Sequence, residues 1–166
     1  MIEIPLNQGF VAVVDDADAE LVAGYRWIGR VAGAAPNVLR YAHAHIPGGG
    51  RGGPKVYMHR LILAAPPRMH VDHVNHNGLD NRRGNLRLAT RSQNIANARR
   101  RADNASGFRG VSWHSQRNRW QARIQVSGRN PHLGLFDTPE EAARAYDAAA
   151  LDAFGEFANL NFPEAA

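Results

Sequence analysis

Short apolar runs separated by polar turns make up the first half of the chain. Such runs predict three strands, at residues 9–14, 26–31 and 40–46. Helical spacing predicts short helices over 18–25 and 56–64, and the second of these stops at Pro66 and Pro67. The glycine-rich segment 47–54 predicts a loop, and it lacks the Gly-Lys-Ser/Thr ending of a phosphate-binding loop. We therefore expect a β-rich N-terminal segment.

The middle of the chain changes to a pattern of strand, loop, strand and helix. The two strands are predicted at residues 71–73 and 86–89. The segment between them, 75–85, is a loop rich in asparagine and glycine. Thr90 or Ser92 can cap a helix that runs through Arg101. The short polar segment 102–106 after it predicts a linker between two domains.

The last third of the chain predicts a small sheet followed by a helix. Strands are expected at residues 108–114, 120–127 and 132–136, joined by connections short enough for hairpin turns. Thr138, Pro139 and Glu141 form a capping-box sequence that begins a helix, which ends at Gly155. The many alanines of this helix allow it to approach a sheet closely. The predicted fold class is α+β, ending in a three-stranded antiparallel sheet packed on one α-helix.

Composition narrows the classes of protein that this chain can represent. Its 166 residues suggest one domain of ordinary size or two small ones. The absence of cysteine excludes a disulfide framework, a thiolate zinc site and a cysteine nucleophile. No apolar run approaches the roughly 20 residues of a membrane helix, and the N-terminus lacks a signal-peptide pattern. We therefore expect a soluble cytoplasmic protein with no membrane partner.

The net charge of +5 is distributed unevenly. Residues 57–104 carry nine basic and three acidic side chains, and residues 105–130 carry five basic and no acidic ones. Residues 131–166 carry one basic and seven acidic side chains. A basic middle followed by an acidic end predicts a polyanionic partner, most simply nucleic acid. The alternative is a solvated basic face without a ligand.

Residues that bind hard metal ions or move protons are concentrated in the middle segment. They are Asp72, His73, His76, Asn85 and Asn94. Phosphodiester hydrolysis needs a base that activates water and a divalent cation that stabilises charge on the phosphate and the departing 3′ oxygen. Asp and Asn oxygens suit Mg²⁺, and a histidine with a pKa of about 6.5 is partly neutral at physiological pH. Because Asp72 and His73 are adjacent in a strand, we expect the carboxylate to face a metal and the imidazole to face the water.

Three segments of this region match one known motif. They are VDHVN at 71–75, GLDNRRGNLR at 78–87 and TRSQN at 90–94. The set resembles the HNH endonuclease motif of phage and intron homing enzymes, which folds as a ββα-metal module around one ion. The resemblance implies His73 as the general base and Asp72 and Asn94 as ligands of Mg²⁺ or Mn²⁺. It also implies that Asn85 ties the loop together and helps to orient the histidine.

Other histidines of the region have weaker functional signals. His59 also recurs in this family ahead of the motif, and we expect it to have a structural role or to support the site from behind. His70 and His76 are interpreted as ordinary polar residues. The alternative for the whole motif is a polar loop in which histidine and asparagines serve as turn formers.

The second strand of the C-terminal sheet alternates between two kinds of side chain. One face carries Trp120, Ala122, Ile124 and Val126; the other carries Arg119, Gln121, Arg123 and Gln125. We expect Val111 and Trp113 of the first strand, and Leu133 and Leu135 of the third, to point inward with the apolar face. An open face of Arg and Gln can lie in the major groove, where Arg pairs with guanine and Gln with adenine.

Residues 107–162 also match a known pattern. The matching segments are FRGV at 108–111, WQARI at 120–124, LGLF at 133–136 and EAARAYDAAA at 141–150. They resemble the APETALA/ethylene-response-factor type of DNA-binding domain, which places a three-stranded sheet in the major groove. Ser112, His114, Arg117 and His132 stand where plant members carry Arg or Trp. The plant target site is therefore not expected.

Together these features predict a metal-dependent DNA endonuclease of the homing or mobile-element type in a bacterial or phage-infected cell. The expected domains are 1–101 (N-terminal strands plus the HNH module, with its core motif at 57–101) and 107–163, joined by the linker 102–106. The partner is double-stranded DNA, bound by a monomer or weak homodimer. The predicted DNA-binding residues are Arg82, Arg83, Arg99, Arg100, Arg109, Arg117, Arg119, Gln121, Arg123, Gln125 and His132. The alternative is a sequence-specific DNA-binding transcriptional regulator with an inactive HNH module.

Overall fold

The structure, a computed structural model, describes residues 1–32, 39–46, 53–98 and 104–163. The chain divides into two compact units, Met1–Thr90 and Arg91–Ala166. The described residues contain four small antiparallel sheets and four α-helices. This mixed α and β content agrees with the fold class expected from the sequence. No helix in the described part of the chain is long and apolar enough to cross a membrane.

The first unit is built from two hairpins, one three-stranded sheet and two short helices. Its elements are β1 (Ile2–Pro5), β2 (Val11–Val14), α1 (Ala19–Ala23), β3 (Ile28–Ala32), β4 (Leu39–His45), β5 (Lys55–Tyr57), α2 (Met58–Ile62), β6 (His70–His73) and β7 (Leu86–Ala89). β1 pairs with β2 and β6 with β7, while β4 lies between β3 and β5. The β6–β7 hairpin is the strand–loop–strand pattern predicted around the motif.

One apolar core holds this unit together. Its buried members are Ala12, Val14, Val22, Trp27, Ala42, Ala44, Met58, Ile62 and Leu86. Because strand side chains alternate, the two alanines of β4 face this core while Tyr41, His43 and His45 belong to the opposite face. β4 therefore has an alanine face packed in the core and a second face of aromatic and imidazole rings.

The helix predicted over 56–64 is only partly present. β5 occupies Lys55–Tyr57 and pairs with β4, with Tyr57 opposite His43. α2 then begins at Met58 and ends at Ile62. The apolar run has helical spacing, but the edge of β4 offers hydrogen bonds to its first residues and these adopt the extended conformation instead.

The second unit contains one short helix, a three-stranded sheet and one long helix. Its elements are α3 (Arg91–Asn97), β8 (Val111–His114), β9 (Arg119–Arg123), β10 (His132–Phe136) and α4 (Pro139–Phe154). β9 is the central strand. The predicted capping box is present at the start of α4: Thr138 Oγ1 accepts from the Glu141 backbone N–H at 3.2 Å, and the Glu141 carboxylate accepts from the Thr138 N–H.

Small side chains allow α4 to pack on the inner face of this sheet. Val111 and Ala122 of the sheet are buried together with Ala142 and Ala143 of the helix. Gly110 also has no room for a side chain, because a Cβ there would lie 2.0 Å from the ring of Tyr146, and its φ of 73° is in the left-handed region that favours glycine. Close approach of backbone to helix thus depends on residues with little or no side chain.

One inward-facing prediction for the sheet, that for Leu135, is wrong. The β9–β10 register shifts between His132 and Gly134, so that Leu135 lies opposite Gln121 on the outer face, while Phe136 lies opposite Trp120. The extra residue of this irregularity interrupts the two-residue alternation on which the prediction relied. Trp113 shares the face of Trp120 but lies near the edge, with 48% of its surface exposed. β9 also ends at Arg123, earlier than predicted.

The compact units divide between Thr90 and Arg91, upstream of the predicted linker at 102–106. The reason lies in contacts of α3 with the second unit. Arg109 Nη1 donates to the Ala96 carbonyl at 2.9 Å, and Asn159 Nδ2 donates to the Asn97 carbonyl at 3.2 Å. α3 is therefore part of the second unit by packing, although its sequence continues the motif. The predicted extension of α3 to Arg101 lies beyond the described residues.

Candidate active site and DNA-reading face

The β6–β7 hairpin presents the two residues predicted to carry the chemistry. His73 lies opposite Leu86, and Asp72 lies opposite Arg87. Asp72 and His73 are both buried, each with 6% of its surface exposed. Arg87 Nε donates to Asp72 Oδ2 at 2.9 Å, whereas the ring of His73 lies against other rings. The hairpin therefore gives the carboxylate and the imidazole different surroundings, as adjacent strand positions require.

The surroundings of His73 keep its imidazole neutral. The ring centroid of His59 lies 5.2 Å from that of His73 in an edge-to-face arrangement, and the centroid of Tyr41 lies 5.9 Å away. Burial lowers the pKa of His73 below its ordinary value of 6.5, and the nearby Asn81 and carboxylates oppose this in part. At neutral pH the imidazole is in the form that accepts a proton.

His59 forms one wall of this site. Its ring stacks on Tyr57 with centroids 5.6 Å apart and contacts His73 on the other side. Burial, together with the nearby His73 and Arg60, lowers the pKa of His59 to about 3. Its Nδ1 has no hydrogen-bond partner among the residues that the structure describes. His59 is thus a neutral packing group against His73, in line with the supporting role expected for it.

Tyr41 is a residue of this site that the sequence did not single out. It lies on β4, and its ring contacts those of His59 and His73. The backbone of Gly78 is pressed onto it from the motif loop, since a Cβ on that glycine would lie 2.7 Å from the ring and 2.3 Å from the Arg40 carbonyl oxygen. No local pattern marks Tyr41, because its neighbours come from segments far along the chain.

Asn85 binds the two ends of the motif loop to each other. Its Oδ1 accepts from the Asn75 N–H at 3.0 Å, and its Nδ2 donates to the Asp80 carbonyl at 2.7 Å. Its backbone carbonyl accepts from the Val74 N–H. Asn81, which is fully buried, lies close enough to His73 to affect its pKa.

The motif loop is also anchored to the N-terminal hairpin. The Val13 N–H donates to the Leu79 carbonyl at 2.8 Å, and the Asn81 N–H donates to the Val13 carbonyl at 2.7 Å. Arg83 forms a two-pronged contact with Asp18 at 2.7–3.1 Å. β2 and the aspartates after it therefore hold the loop that carries the motif.

Two of the arginines predicted to bind DNA form ion pairs within the first unit. Arg82 is paired with Asp80 at 2.7 Å, and this hydrogen bond lowers the pKa of Asp80. Arg83 is paired with Asp18, whose side chain is only 3% exposed. Both arginines have protein partners that a basic sequence run does not reveal, so the structure gives them a role within the first unit.

The predicted metal ligands have suitable donor chemistry. Asp72 offers a buried carboxylate, and Asn94, which lies half-buried on α3 in the second unit, offers an amide oxygen. Both are oxygen donors of the kind that Mg²⁺ accepts. Among the described residues, no three His, Asp or Glu side chains are grouped so that they could hold a metal.

The outer face of the β8–β10 sheet collects most of the other predicted residues. Across the strands, His114 pairs with Arg119, Ser112 with Gln121, and Arg123 with His132. Directly opposed residues share a face, so these polar side chains lie together, away from α4. Arg119 additionally forms an exposed ion pair with Asp137 at 2.7 Å.

The remaining residues predicted to bind DNA do not belong to the outer face of the sheet as a group. Arg117 and Gln125 are exposed in the second unit. Arg109 does not join the outer face, because its side chain binds the Ala96 carbonyl and hydrogen-bonds Tyr146. Arg99 and Arg100 lie outside the described residues.

Comparisons with known proteins fit this geometry. A family model described as HNH endonuclease matches residues 56–96, which contain α2, the β6–β7 hairpin and most of α3. A second one, described as AP2 domain, matches residues 106–156, which contain the three-stranded sheet and α4. The two family models thus match separate, consecutive parts of the chain. Both resemblances seen in the sequence are thereby confirmed.

Individual relatives match part of the chain. An uncharacterized HNH endonuclease, L560, from Acanthamoeba polyphaga mimivirus is 35% identical over 113 residues, which is 64% of this chain and 58% of the relative. The AP2-like ethylene-responsive transcription factor CRL5 of Oryza sativa subsp. japonica is 48% identical over 83 residues, 46% of this chain and 13% of the relative. The factor ANT of Arabidopsis thaliana is 45% identical over 83 residues, 46% of this chain and 15% of the relative. The chain thus spans less than two thirds of each of these relatives.

Proposed function

We propose that this protein is a metal-dependent DNA endonuclease of the homing or mobile-element type. It would hydrolyse phosphodiester bonds of double-stranded DNA, targeted through the outer face of its AP2 sheet. The observation that carries the proposal is the buried, neutral imidazole of His73 in the HNH domain, in sequence next to the buried carboxylate of Asp72. The match of an AP2 domain in the same chain supports DNA as the substrate.

In this proposal the reaction depends on a proton transfer to His73. The imidazole accepts a proton from a water molecule, whose oxygen attacks phosphorus. The bond from phosphorus to the 3′ oxygen breaks, and that oxygen takes up a proton, which leaves a 5′-phosphate and a 3′-hydroxyl. His59 and Tyr41 hold the ring of His73 from two sides. Preorganised positioning of this kind lowers the barrier by removing wrong orientations.

A divalent cation, Mg²⁺ or Mn²⁺, would stabilise negative charge on the phosphate and on the departing oxygen. Asp72 and Asn94 are the residues proposed to hold it. Arg87, already at Asp72, adds positive charge on the same side of the hairpin. One HNH centre per chain implies one nick per monomer, and a weak homodimer would cut both strands.

A plasmid assay tests the proposal directly. Supercoiled DNA is incubated with Mg²⁺ or Mn²⁺ and with wild-type protein, His73→Ala or His70→Ala, at protein concentrations that give equal DNA occupancy. His70 is a matched control, because it lies on the same strand but is exposed. We expect nicking by wild type and His70→Ala, and at least a roughly hundredfold loss in His73→Ala, the lower range for removal of a general base. Equal nicking by wild type and His73→Ala would refute the endonuclease proposal.

The second candidate is a sequence-specific DNA-binding regulator whose HNH domain is inactive. The ion pair between Arg87 and Asp72 favours it, because the proposed metal-binding carboxylate already has a cationic partner. Relatives of the AP2 domain are described as transcription factors. Under this reading all three proteins protect a bound site from an added nuclease, and none of them nicks the plasmid.

A further inference from the structure

Three residues from three strands lie side by side on the outer face of the AP2 sheet. In the register, Gln121 of β9 lies opposite Ser112 of β8 and opposite Leu135 of β10. Leu135 reaches this face because of the register shift between His132 and Gly134. The result is a row, Ser112–Gln121–Leu135, in which an amide lies between a hydroxyl and an isobutyl group.

Hydrogen bonds fix the orientation of the Gln121 amide. Its Nε2 donates to Ser112 Oγ at 3.1 Å, and its Oε1 accepts from Arg123 Nε at 3.2 Å. Arginine has only donors, so the amide oxygen must face Arg123 and the amide nitrogen must face Ser112. The amide then retains one N–H and one lone pair for a further partner.

The remaining N–H and lone pair of the Gln121 amide, together with the side chain of Leu135, match the exposed groups of one base pair. A glutamine amide with one donor and one acceptor pairs with N7 and N6 of adenine in the major groove. The thymine of the same pair presents a methyl group, which favours an apolar contact. Leu135 provides this contact beside Gln121, because it is half-buried on the outer face and is absent from the apolar cluster that includes Leu133 and Phe136.

We propose that the row Ser112–Gln121–Leu135 reads an A·T base pair, with Gln121 on adenine and Leu135 on the thymine methyl. Ser112 and Arg123 are positioning residues, which act by holding the amide. In this arrangement the terminal nitrogens of Arg123 can pair with a neighbouring guanine. This inference rests on the proposed DNA binding by the sheet, and it is independent of whether the HNH domain cleaves.

The test begins with selection of bound sites from a random duplex library by the full chain, without divalent metal so that no site is cut. Wild type, Ser112→Ala and Leu135→Ala are compared, with Ser115→Ala as an exposed control in the turn after β8. We expect one position at which wild type prefers A·T over G·C by roughly 5- to 150-fold, the value of one good bidentate contact. Ser112→Ala reduces this preference at least threefold, while Ser115→Ala leaves it unchanged.

Replacing thymine by deoxyuridine at that position removes the methyl without touching the protein. Wild type and Ser112→Ala should lose affinity roughly fourfold, the effect of one buried methyl-sized group. Leu135→Ala should bind the two duplexes equally. This arm does not depend on the stability of any variant, because each protein is compared with itself on two duplexes.

The outcomes separate this inference from the proposed function. A clear consensus without an A·T position that responds to Ser112 or Leu135 overturns the inference alone. An equal loss on deoxyuridine in wild type and Leu135→Ala overturns the role of Leu135. A chain that selects no consensus overturns both the inference and sheet-directed targeting, whereas specific binding without plasmid nicking overturns only the endonuclease proposal.

Discussion

Arg87 Nε lies 2.9 Å from Asp72 Oδ2, across the hairpin that carries the proposed general base. The two residues are direct partners in the β6–β7 register, and their side chains are only 16% and 7% exposed. A carboxylate in such a position is costly to leave without a compensating cation. The pair therefore connects the stability of the hairpin with the negative charge that Asp72 could offer to the proposed cation.

Replacement of Arg87 by alanine tests this connection. In EDTA the variant should lose about 3 kcal/mol of unfolding free energy, because a buried carboxylate loses its guanidinium. Millimolar Mg²⁺ should restore more stability to Arg87→Ala than to wild type if Asp72 is a ligand. Urea unfolding with and without Mg²⁺ measures both effects. The double variant Asp72→Asn/Arg87→Ala is the control, and a Mg²⁺ response that survives in it would contradict the assignment.

Two glycines of the motif loop should respond differently to alanine. Gly78→Ala should destabilise the protein by about 1–3 kcal/mol, the usual cost of overpacking, because its Cβ would meet the Arg40 carbonyl and the Tyr41 ring. Gly84→Ala, in the same loop, has nothing within 4 Å of its Cβ and should change stability by no more than about 0.5 kcal/mol. Thermal or urea unfolding distinguishes them. Equal effects would mean that Gly78 is not in contact with Tyr41.

Stability should fall on acidification because of the buried histidines. The pKa of His59 is about 3 and that of His73 is also below 6.5, so the unfolded chain binds these protons first as the pH falls. The contribution of His59 to the free energy of unfolding is fully present above about pH 6.5. It is lost toward pH 3, at about 1.4 kcal/mol per pH unit. Unfolding in EDTA between pH 7.5 and 4.5 measures the slope. His59→Asn should show a slope smaller by about one proton; an unchanged slope would show that His59 is protonated in the folded protein.

Two arginines predicted to bind DNA should separate into different roles. Arg83→Ala should lower unfolding free energy by about 2 kcal/mol, because the buried carboxylate of Asp18 loses its hydrogen bonds. Arg117→Ala should leave stability within about 0.5 kcal/mol, since Arg117 is exposed and its side chain has no bonded partner among the described residues. The DNA affinity of the Arg117→Ala variant should fall, and the slope of its binding constant against salt concentration should decrease by about one counterion. Salt titrations by fluorescence anisotropy give this slope, and the reverse assignment would appear as a salt effect in Arg83→Ala alone.

Local patterns predicted those elements whose hydrogen bonds are local. The capping box at Thr138 and the strand–loop–strand order around His73 are visible in short windows of sequence. β5 is not visible in the sequence, because its three residues form a strand through pairing with β4 rather than through their own pattern. Leu135 lies on the face opposite to the predicted one, because a register irregularity leaves no mark in the alternation of apolar residues.

For the candidate site, residue types were predictable but partners were not. His73 and Asp72 stand out because few functions other than proton transfer and metal binding concentrate such side chains in one loop. The partners Tyr41 and Asp18 come from strands and turns far upstream, and nothing in their local sequence announces a contact with the motif. Positive charge at Arg83 indicated an anion, and the anion in the structure is the protein's own carboxylate.

The anchoring of the motif loop to β2 has a consequence for engineering. The HNH family match begins at residue 56, yet the hydrogen bonds of Val13 to Leu79 and Asn81 come from a strand that precedes it. A fragment excised at residue 56 would lose that strand and Asp18, and would expose the apolar side chain of Leu86 to water. The HNH motif therefore cannot be transferred to another protein without the strand that precedes it. A graft onto another DNA-binding protein has to begin at β1.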